Sequence, residues 1–407
     1  MTVNCTPTSY GSVSRAFHWI TALLILTAFP LGIVANGLPF DTGEELARKA
    51  LMFSMHKTVG VLAFFVGVAR ILWALTQTHV VALHPDRKLQ TWAASVAHWL
   101  LYASLVLVPL SGWIHHAATE GFAPIWWPFG QSLPLVPKNE TVSHFFQELH
   151  FVFTKVLALT ILAHIAGALK HHLLDRDDTL RRMTRGIGGG DPVHADGGRG
   201  PMFAAIGIWA AAFAGGTALS MTAGGYDTGP APQLEAVASD WTVQEGDITF
   251  SVLQLGSAVE GRFEDWTAII GFDPDVTDGT AGNVEVTISV PSVNVGSVTG
   301  EALKPDFFDA TGFPTAIFTG DILIEAGSYR AAGVLSLKGT DLPIEFPFDM
   351  TVDGDTASMA GALTLQRLDF GIGQTYPDES SVGFAVDVSL SVTATRGTPD
   401  QQAELSE

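Results

Sequence analysis

The stretch ELHFVFTKVLALTILAHIAGALKHHLLDRDDTLRRM, residues 148–183, decides the fold of the first half of the chain. It places His150 and His164 fourteen residues apart in a mainly apolar run. With the rise and turn of an α-helix, the two rings lie roughly 21 Å apart along the axis and about 40° apart around it. An ionisable ring inside a membrane helix is costly, so a passive anchor has no reason to carry two.

Four other apolar stretches also approach the ~20 residues that a helix needs to cross a bilayer. The five predicted spans run roughly over 15–36, 53–76, 92–115, 147–173 and 202–222. The composition agrees, because only 15% of the 407 residues are charged and soluble proteins have about 25%. The first span has no clean cleavage pattern after it, so we interpret it as a retained helix and not as a signal peptide.

The charge changes abruptly near residue 224. Residues 1–223 hold 15 Lys and Arg, 12 Asp and Glu, and all 13 His, whereas residues 224–407 hold 6 Lys and Arg, 29 Asp and Glu, and no His. Chemistry that needs imidazole is therefore expected in the first half. The net charge of −20 argues against nucleic acid as a partner. The single Cys5 excludes a disulfide framework, a Cys-ligated zinc site and covalent haem attachment.

Positive residues in the loops predict the orientation in the membrane. The loops after the second and fourth spans carry Arg87, Lys88, Arg176, Arg181, Arg182, Arg185 and Arg199, and the loops on the other side carry only Arg48, Lys49 and Lys138. This distribution predicts a multi-pass protein of a bacterial inner membrane with a cytoplasmic N-terminus. Five crossings then place the second half in the periplasm.

The predicted topology matches the membrane histidines by depth. His18 lies at the same depth as His164, and His56 lies at the same depth as His150. Haem b that is held by two imidazoles needs facing pairs of this kind. The sequence thus predicts two haem b groups, one near each membrane surface. The less favoured alternative is that all four histidines serve only in packing.

Residues 10–186 resemble the bacterial cytochrome b561 family, which are four-helix dihaem proteins of the inner membrane. The resemblance rests on YGSVSRAFHW, MHKTVG followed by ARILW, VPLSGW, and the stretch at 148–183. It implies that His18, His56, His150 and His164 are the haem-iron ligands. It also implies electron exchange with ubiquinone. One branch of the family oxidises superoxide while reducing ubiquinone, and a related group provides haem subunits of hydrogenases.

Other polar residues of the first half have less certain roles. His171 and His172 are candidates for a quinone site, although interfacial histidines are an equal alternative. His98 is interpreted as a hydrogen-bonding group or a haem-propionate partner and not as a ligand. His115 and His116 are left open. Lys57 and Arg70 either neutralise propionates or extend to the lipid headgroups.

The second half shows the alternating pattern of antiparallel strands, with short turns between them. Examples are DITFSV (247–252), NVEVTISV (283–290), TAIFTGDILI (315–324), AAGVLSL (331–337) and VGFAVDVSLSVTAT (382–395). The predicted domains are a helical domain at 10–186, a cytoplasmic loop with the fifth helix and a linker at 187–239 (the linker at 223–239), a β-barrel at 240–395, and a tail at 396–407. We expect no catalysis from the barrel, which has no His, no Cys and no nucleophile-and-base pair.

Residues 240–395 resemble the YceI-like family of periplasmic lipid-binding barrels. The resemblance rests on ITF…VEGRFEDW…IGFDP, on DFFDATGFPTAIFTG (306–320) and on LTLQRLDFGIG (363–373). It implies a lipocalin-like barrel whose apolar channel binds an isoprenoid lipid such as ubiquinone. The aromatic candidates for this channel are Phe250, Phe263, Phe307, Phe308, Phe318 and Phe370. A filled core is the simpler explanation for most of them.

Together these patterns predict a membrane all-α four-helix dihaem bundle with a fifth transmembrane helix, followed by an all-β antiparallel barrel. The working hypothesis is a dihaem b electron-transfer protein that exchanges electrons with ubiquinone, with a tethered barrel that binds an isoprenoid lipid or quinone. Whether the chain is a superoxide:ubiquinone oxidoreductase stays open. The alternative is a non-enzymatic cytochrome b subunit for a partner dehydrogenase or hydrogenase, and a third reading has the barrel bind an unrelated lipid.

Overall fold

The computed structural model describes residues 2–119, 123–188, 198–222, 234–235 and 237–397. The chain divides into two compact units, one made of residues 1–38, 49–119 and 123–225, and the other of residues 39–48, 120–122 and 226–407. Much of the predicted linker at 223–239, part of the loop before the fifth span, and the tail from residue 398 lie outside the described residues.

The helical unit contains the five predicted spans. The helices are α1 (Ser12–Gly37), α2 (Gly43–Leu75), α3 (Lys88–Ala118), α4 (Glu140–Lys170), α5 (Thr179–Arg185) and α6 (Gly200–Thr222). All except the short α5 are long and apolar enough to cross a membrane. Each of these five helices begins before its predicted span because polar turns such as GEELARK at the start of α2 are also helical, and hydropathy does not detect such turns.

The packing of α4 against α6 fixes which face of α4 points toward the other helices. The ring of Phe153 meets Trp209 edge-on at 5.1 Å. Leu149 is 2% exposed and lies so close to Gly216 that a Cβ there would stand 2.7 Å from Leu149 Cδ2. Asn139 caps the N-terminus of α4, since its side chain accepts a hydrogen bond from the Val142 N–H at 3.0 Å. As a result, His150 and His164 of α4 face α2 and α1.

The second unit contains one antiparallel sheet of ten strands. The strands are β1 (Trp241–Gln254), β2 (Ser257–Phe263), β3 (Trp266–Phe272), β4 (Gly279–Ser289), β5 (Val293–Asn294), β6 (Thr315–Glu325), β7 (Ser328–Leu337), β8 (Thr340–Asp353), β9 (Thr356–Gln366) and β10 (Val382–Arg396). Their order in the sheet is β3-β4-β6-β7-β8-β9-β10-β1-β2-β5. A one-turn helix, α7 (Thr299–Ala302), lies between β5 and β6.

Side chains near the start of β1 form hydrogen bonds with β3, the strand at one edge of the sheet. The Trp241 indole N–H donates to the carbonyl of Phe272 at 2.9 Å. The Ser239 hydroxyl donates to the carbonyl of Ile270 at 3.2 Å and accepts from its N–H at 2.7 Å. The sheet therefore curves into a barrel, as predicted for a lipocalin-like fold, and one exposed edge is covered.

The two prolines of β8 lie where this strand pairs on one side only. β8 pairs with β7 over residues 340–348, and it pairs with β9 over residues 348–353. Pro343 and Pro347 precede the stretch that pairs with β9. Because proline cannot donate a ladder hydrogen bond, it is tolerated in a strand that lacks a partner on one side.

Candidate functional site

The structure brings the four predicted ligand histidines together as two facing pairs. The ring centroids of His18 and His164 are 6.2 Å apart, and those of His56 and His150 are 6.4 Å apart. Two imidazoles bound on opposite sides of one metal ion, each through one nitrogen at about 2 Å, have centroids about 6 Å apart. Each pair thus has the separation of two axial ligands to one metal ion.

Hydrogen bonds orient both rings of the second pair. His56 Nδ1 donates to the carbonyl of Ala28 at 2.8 Å, and His150 Nδ1 donates to the carbonyl of Val108 at 2.9 Å. A carbonyl oxygen can only accept, so the proton of each neutral ring is on Nδ1. The Nε2 lone pair is then available for a metal, and this type of second partner fixes the orientation of metal-binding histidines.

The same two rings pack against glycines on the neighbouring helices. A Cβ on Gly32 would stand 2.8 Å from His56 Cε1, and a Cβ on Gly112 would stand 2.9 Å from His150 Cε1. In each case the glycine follows the accepting carbonyl residue, Ala28 or Val108, by four positions. One helical turn therefore provides both the acceptor for the ring N–H and the space for the ring.

Two further glycines leave room beside the histidine pairs. Gly60 follows His56 by four residues, and Gly167 follows His164 by three, so each lies on the face of its helix that carries the ligand. Among the described residues, no heavy atom lies within 4 Å of the position that a Cβ would take at Gly60 or Gly167. Ring separation, ring orientation and this open space together fit a planar group such as haem at each pair.

His98 lies beside the first pair. Its centroid is 5.4 Å from that of His164, which is shorter than the separation of two rings bound on opposite sides of one metal ion. Arg70 lies near enough to act electrostatically on the rings of His18, His98 and His164, and its guanidinium lies 5.4 Å from the centroid of the Tyr102 ring. The first pair therefore has a cation close to it.

The second pair also has a cation close to it. Lys57 is only 5% exposed, and its Nζ donates to the carbonyl of Ala123 at 2.7 Å. Lys57 is therefore buried by protein and bonded to the loop that follows α3. His115 and His116 have ring centroids 4.4 Å apart, and His115 Nδ1 lies 2.9 Å from the Ser143 hydroxyl.

The two quinone-site candidates have different surroundings. His171 Nδ1 lies 2.7 Å from Asp177 Oδ2, whereas the neighbouring His172 is exposed. Partial burial raises the pKa of Asp177, but hydrogen bonds from Thr179, His171 and His84 outweigh it and hold the pKa below its ordinary value. Asp177 is therefore a stable anionic partner for His171. Sequence reasoning did not identify His84 or Asp177, because their proximity depends on how two loops meet.

The barrel encloses a cavity of about 330 Å³ whose walls are almost entirely apolar. All six aromatic candidates line it: Phe250, Phe263, Phe307, Phe308, Phe318 and Phe370. Several of these rings also contact one another, for example Phe263 and Phe308 at 5.8 Å. The polar residues in the lining are Gln254, Glu301 and Arg367. Such a cavity suits a long apolar ligand with a small polar group.

Arg367 is bound by the backbone that surrounds it. Its guanidinium donates five hydrogen bonds of 2.5–3.0 Å to the carbonyls of Ile372, Gly373, Tyr376, Val382 and Gly383. The side chain is 4% exposed. Since arginine has five N–H donors, all of them are used to hold the segment that follows β9.

Apolar membrane-type helices with two facing histidine pairs define a membrane protein of the cytochrome b class, for which haem b is the expected cofactor. The chain belongs to the prokaryotic cytochrome b561 family, whose model matches residues 9–186. The barrel is a YceI-like domain, and the model of that domain matches residues 241–394. A YceI-like domain implies lipid binding.

Two curated relatives match the helical half. Cytochrome b561 homolog 2 of Escherichia coli (strain K12) is 30% identical over 183 residues, which are 45% of this chain and 95% of the relative. Probable superoxide oxidase CybB of Yersinia pestis is 23% identical over 175 residues, 43% of this chain and 94% of the relative.

Solved structures match the barrel. The crystal structure of Burkholderia cenocepacia BcnA has a TM-score of 0.35 and 27% identity, and the match covers 37% of this chain and 96% of that chain. The Campylobacter jejuni YCEI protein has a TM-score of 0.32 and 21% identity, and the match covers 34% of this chain and 86% of that chain.

Proposed function

We propose that the chain is a dihaem electron-transfer protein of the bacterial inner membrane that exchanges electrons with ubiquinone. One observation carries the proposal: two histidine pairs on α1, α2 and α4 have ring separations of 6.2 and 6.4 Å. His18 and His164 hold one haem b, and His56 and His150 hold the other. When bound, haem b supplies one-electron transfer.

The protein contributes ligand geometry and local charge. Ala28 and Val108 fix the protons of His56 and His150 on Nδ1, which keeps Nε2 directed toward the metal. Lys57 and Arg70 place a cation near each pair, where it would offset the negative charge of the propionates of a bound haem. The two ligands on α4 are separated by roughly 21 Å along the helix, so electrons can move from one side of the bilayer to the other.

The excess of Arg and Lys in the loops after α2 and α4 supports a cytoplasmic N-terminus. With five spans, the barrel is then periplasmic. The first histidine pair lies toward the cytoplasm, because His18 is early in α1 and His164 is late in α4. We place the quinone head group at this end, near His171 and His172.

The barrel binds an isoprenoid lipid, and its apolar cavity of about 330 Å³ supports this role. A prenyl quinone would serve both halves of the chain. Its ring accepts electrons, as the helical half requires, and its apolar tail suits the cavity of the barrel. Attachment to the membrane unit keeps the bound lipid at a high effective concentration near the bilayer.

Superoxide is the electron donor that a relative's name suggests, since one relative is called a probable superoxide oxidase. The buried Lys57 beside the second pair favours an anionic donor on the periplasmic side. The acidic barrel, with a net charge of −23 over residues 224–407, opposes it. The alternative is a cytochrome b subunit that passes electrons between a partner dehydrogenase or hydrogenase and the quinone pool.

The haem content of the purified chain tests the proposal. A pyridine haemochrome assay should give two b-type haems for the wild type. His150→Ala should lose only the haem of the second pair, and His164→Ala only that of the first. Two haems in either variant, or fewer than two in the wild type, would contradict the assignment.

Activity assays then separate the enzyme from the subunit. Consumption of superoxide with reduction of a soluble ubiquinone by the chain alone supports the enzyme. Haems that are reduced only with a partner protein support the subunit. Mass spectrometry of the lipid that co-purifies with the full chain identifies the barrel's ligand, and a lipid without an isoprenoid chain would contradict the proposed role of the barrel.

A further inference from the structure

A second group of metal-ligating side chains lies at the end of α4, apart from the four haem-ligand candidates. His84, His171 and Asp177 each offer one ligand atom, and these atoms all lie within 4.8 Å of one another. Asp177 Oδ2 lies between the rings, 3.0 Å from His84 Nε2 and 2.7 Å from His171 Nδ1. The rings are nearly parallel, with an interplanar angle of 8° and centroids 6.2 Å apart.

The backbone builds this group from two segments that are distant in sequence. After α4 the chain makes a π-helical turn, His171–Asp175, and Arg176 adopts a left-handed conformation with a φ of 55°. The Asp177 N–H then donates to the carbonyl of His171 at 3.1 Å. This reversal brings the Asp177 carboxylate against the His171 ring. Single π turns are frequent at functional sites.

Neighbouring groups hold the side chains in place. The Thr179 N–H donates to Asp177 Oδ1 at 2.9 Å, which directs the other oxygen at the histidines. The Thr91 hydroxyl donates to the carbonyl of His84 at 3.1 Å. The nearby cations Arg87 and Lys170 pair with Asp175 at 3.1 and 2.7 Å. Asp175 Oδ2 also lies 3.1 Å from His171 Nδ1, so the carboxylate that balances these positive charges itself contacts the group.

We propose that His84, His171 and Asp177 form a binding site for a divalent transition-metal cation of the zinc type. Two imidazoles and one carboxylate are a common protein ligand set for zinc, with a fourth position left for water. Ligand atoms around a tetrahedral zinc ion lie about 3.4 Å apart. The two hydrogen-bonded contacts at 3.0 and 2.7 Å must therefore open by roughly half an ångström when the cation takes the place of the two ring N–H protons, each of which moves to the other nitrogen of its ring or to solvent.

The site is accessible to a cation from solution. The side chains of His84 and His171 are 34% and 23% exposed, and that of Asp177 is 11% exposed. Magnesium and calcium prefer oxygen ligands, so two imidazoles select against them. The proposal does not depend on haem binding or on quinone chemistry.

Zinc binding to the haem-loaded full chain tests the proposal. The chain is purified in detergent through a tag without histidine, stripped with a chelator, and titrated with ZnCl₂ against a chromogenic chelator at neutral pH. We expect one tight zinc per chain that excess Mg²⁺ does not displace. His84→Ala and Asp177→Asn should each weaken this site at least tenfold. His79→Ala, at an exposed histidine in the same loop as His84, should leave it unchanged.

Wild-type affinity in His84→Ala, or no tight site in the wild type, would overturn the proposal. The haem spectrum of each variant reports whether the helical unit has folded. If His84→Ala loses its haem, the deciding variant is His84→Cys, which restores a zinc ligand. It must bind one zinc per chain, and its failure to do so while the haem is present would also overturn the proposal. Haem counts on the same samples show separately whether the electron-transfer function holds.

Discussion

Gly112 lies directly against the ring of His150. A Cβ at this position would stand 2.9 Å from both Cε1 and Nδ1 of the ring, closer than side chains tolerate. Gly32 stands in the same relation to His56. Each ligand ring of the second pair thus packs against a glycine. Its orientation is fixed by a hydrogen bond to the carbonyl of Ala28 or Val108, one helical turn before that glycine.

Gly112→Ala should displace His150 and weaken haem binding at the second pair by roughly tenfold or more, since overpacking costs about 1–3 kcal/mol. The first pair should keep its haem. The haem content after dilution into apomyoglobin, a haem acceptor, measures the change. Gly207→Ala is the control, because among the described residues nothing lies within 4 Å of a Cβ there.

Gly167→Leu should lower haem occupancy at the first pair. The side chain would enter the open space one turn after His164 and compete with the planar group for it. Gly207→Leu carries the same change on α6, which has no histidine, and should retain both haems. Equal loss in the two variants would show that leucine acts through folding alone.

His98→Ala should retain two haems, because the His98 ring is too close to His164 for the two to bind opposite sides of one haem iron. We expect a shift of the reduction potential or of the spectrum at the first pair only. A redox titration with optical detection measures this shift. Loss of the same haem that His164→Ala loses would instead identify His98 as a ligand.

Leu363→Trp should reduce the amount of lipid that co-purifies with the chain. Leu363 lies on β9 and lines the cavity, so an indole there fills part of its volume. Ala362→Trp is the matched control, since Ala362 is the next residue of the strand and is exposed. Mass spectrometry of extracted lipid should show a loss of about tenfold in the first variant and little change in the second.

Arg367→Leu should destabilise the barrel by more than about 3 kcal/mol, because several buried carbonyls lose their partners and each unpaired group costs about 1–3 kcal/mol. Pulse proteolysis of the full chain in urea, with detection of a C-terminal tag, measures the change. Arg330→Leu removes a cation on β7 that pairs with Glu325 and Glu345 at the surface. It should cost less than about 1 kcal/mol.

Sequence reasoning identified the spans and the histidine pairs because both depend on regular geometry. A helix has a fixed rise, so the depth of His18, His56, His150 and His164 follows from their distance to the helix ends. The pairing of these histidines by depth was therefore predictable without knowledge of how the helices pack. The alternating pattern likewise marked the strands. All six candidate phenylalanines line the cavity, although a filled core was the simpler expectation for most of them.

Other features depend on contacts between distant segments and could not be predicted. The proximity of His98 to His164 requires the rotation of α3 about its axis, which a uniformly apolar helix does not reveal. The contact of Gly112 with His150 requires the distance between α3 and α4. The motif VPLSGW contains Gly112, but the sequence alone does not show which side chain packs against this glycine.

The interrupted pairing of β8 has a consequence for how a lipid enters the barrel. The ladder between β8 and β9 begins at Phe348 and Gly361, and the described residues form no ladder pairs between 340–347 and 362–366. Strands that share no hydrogen bonds can move apart without breaking any. Phe346 and Leu363 flank this unpaired stretch and both line the cavity, so parting of the two strands there would give a long chain a sideways route into the barrel without loss of a ladder hydrogen bond.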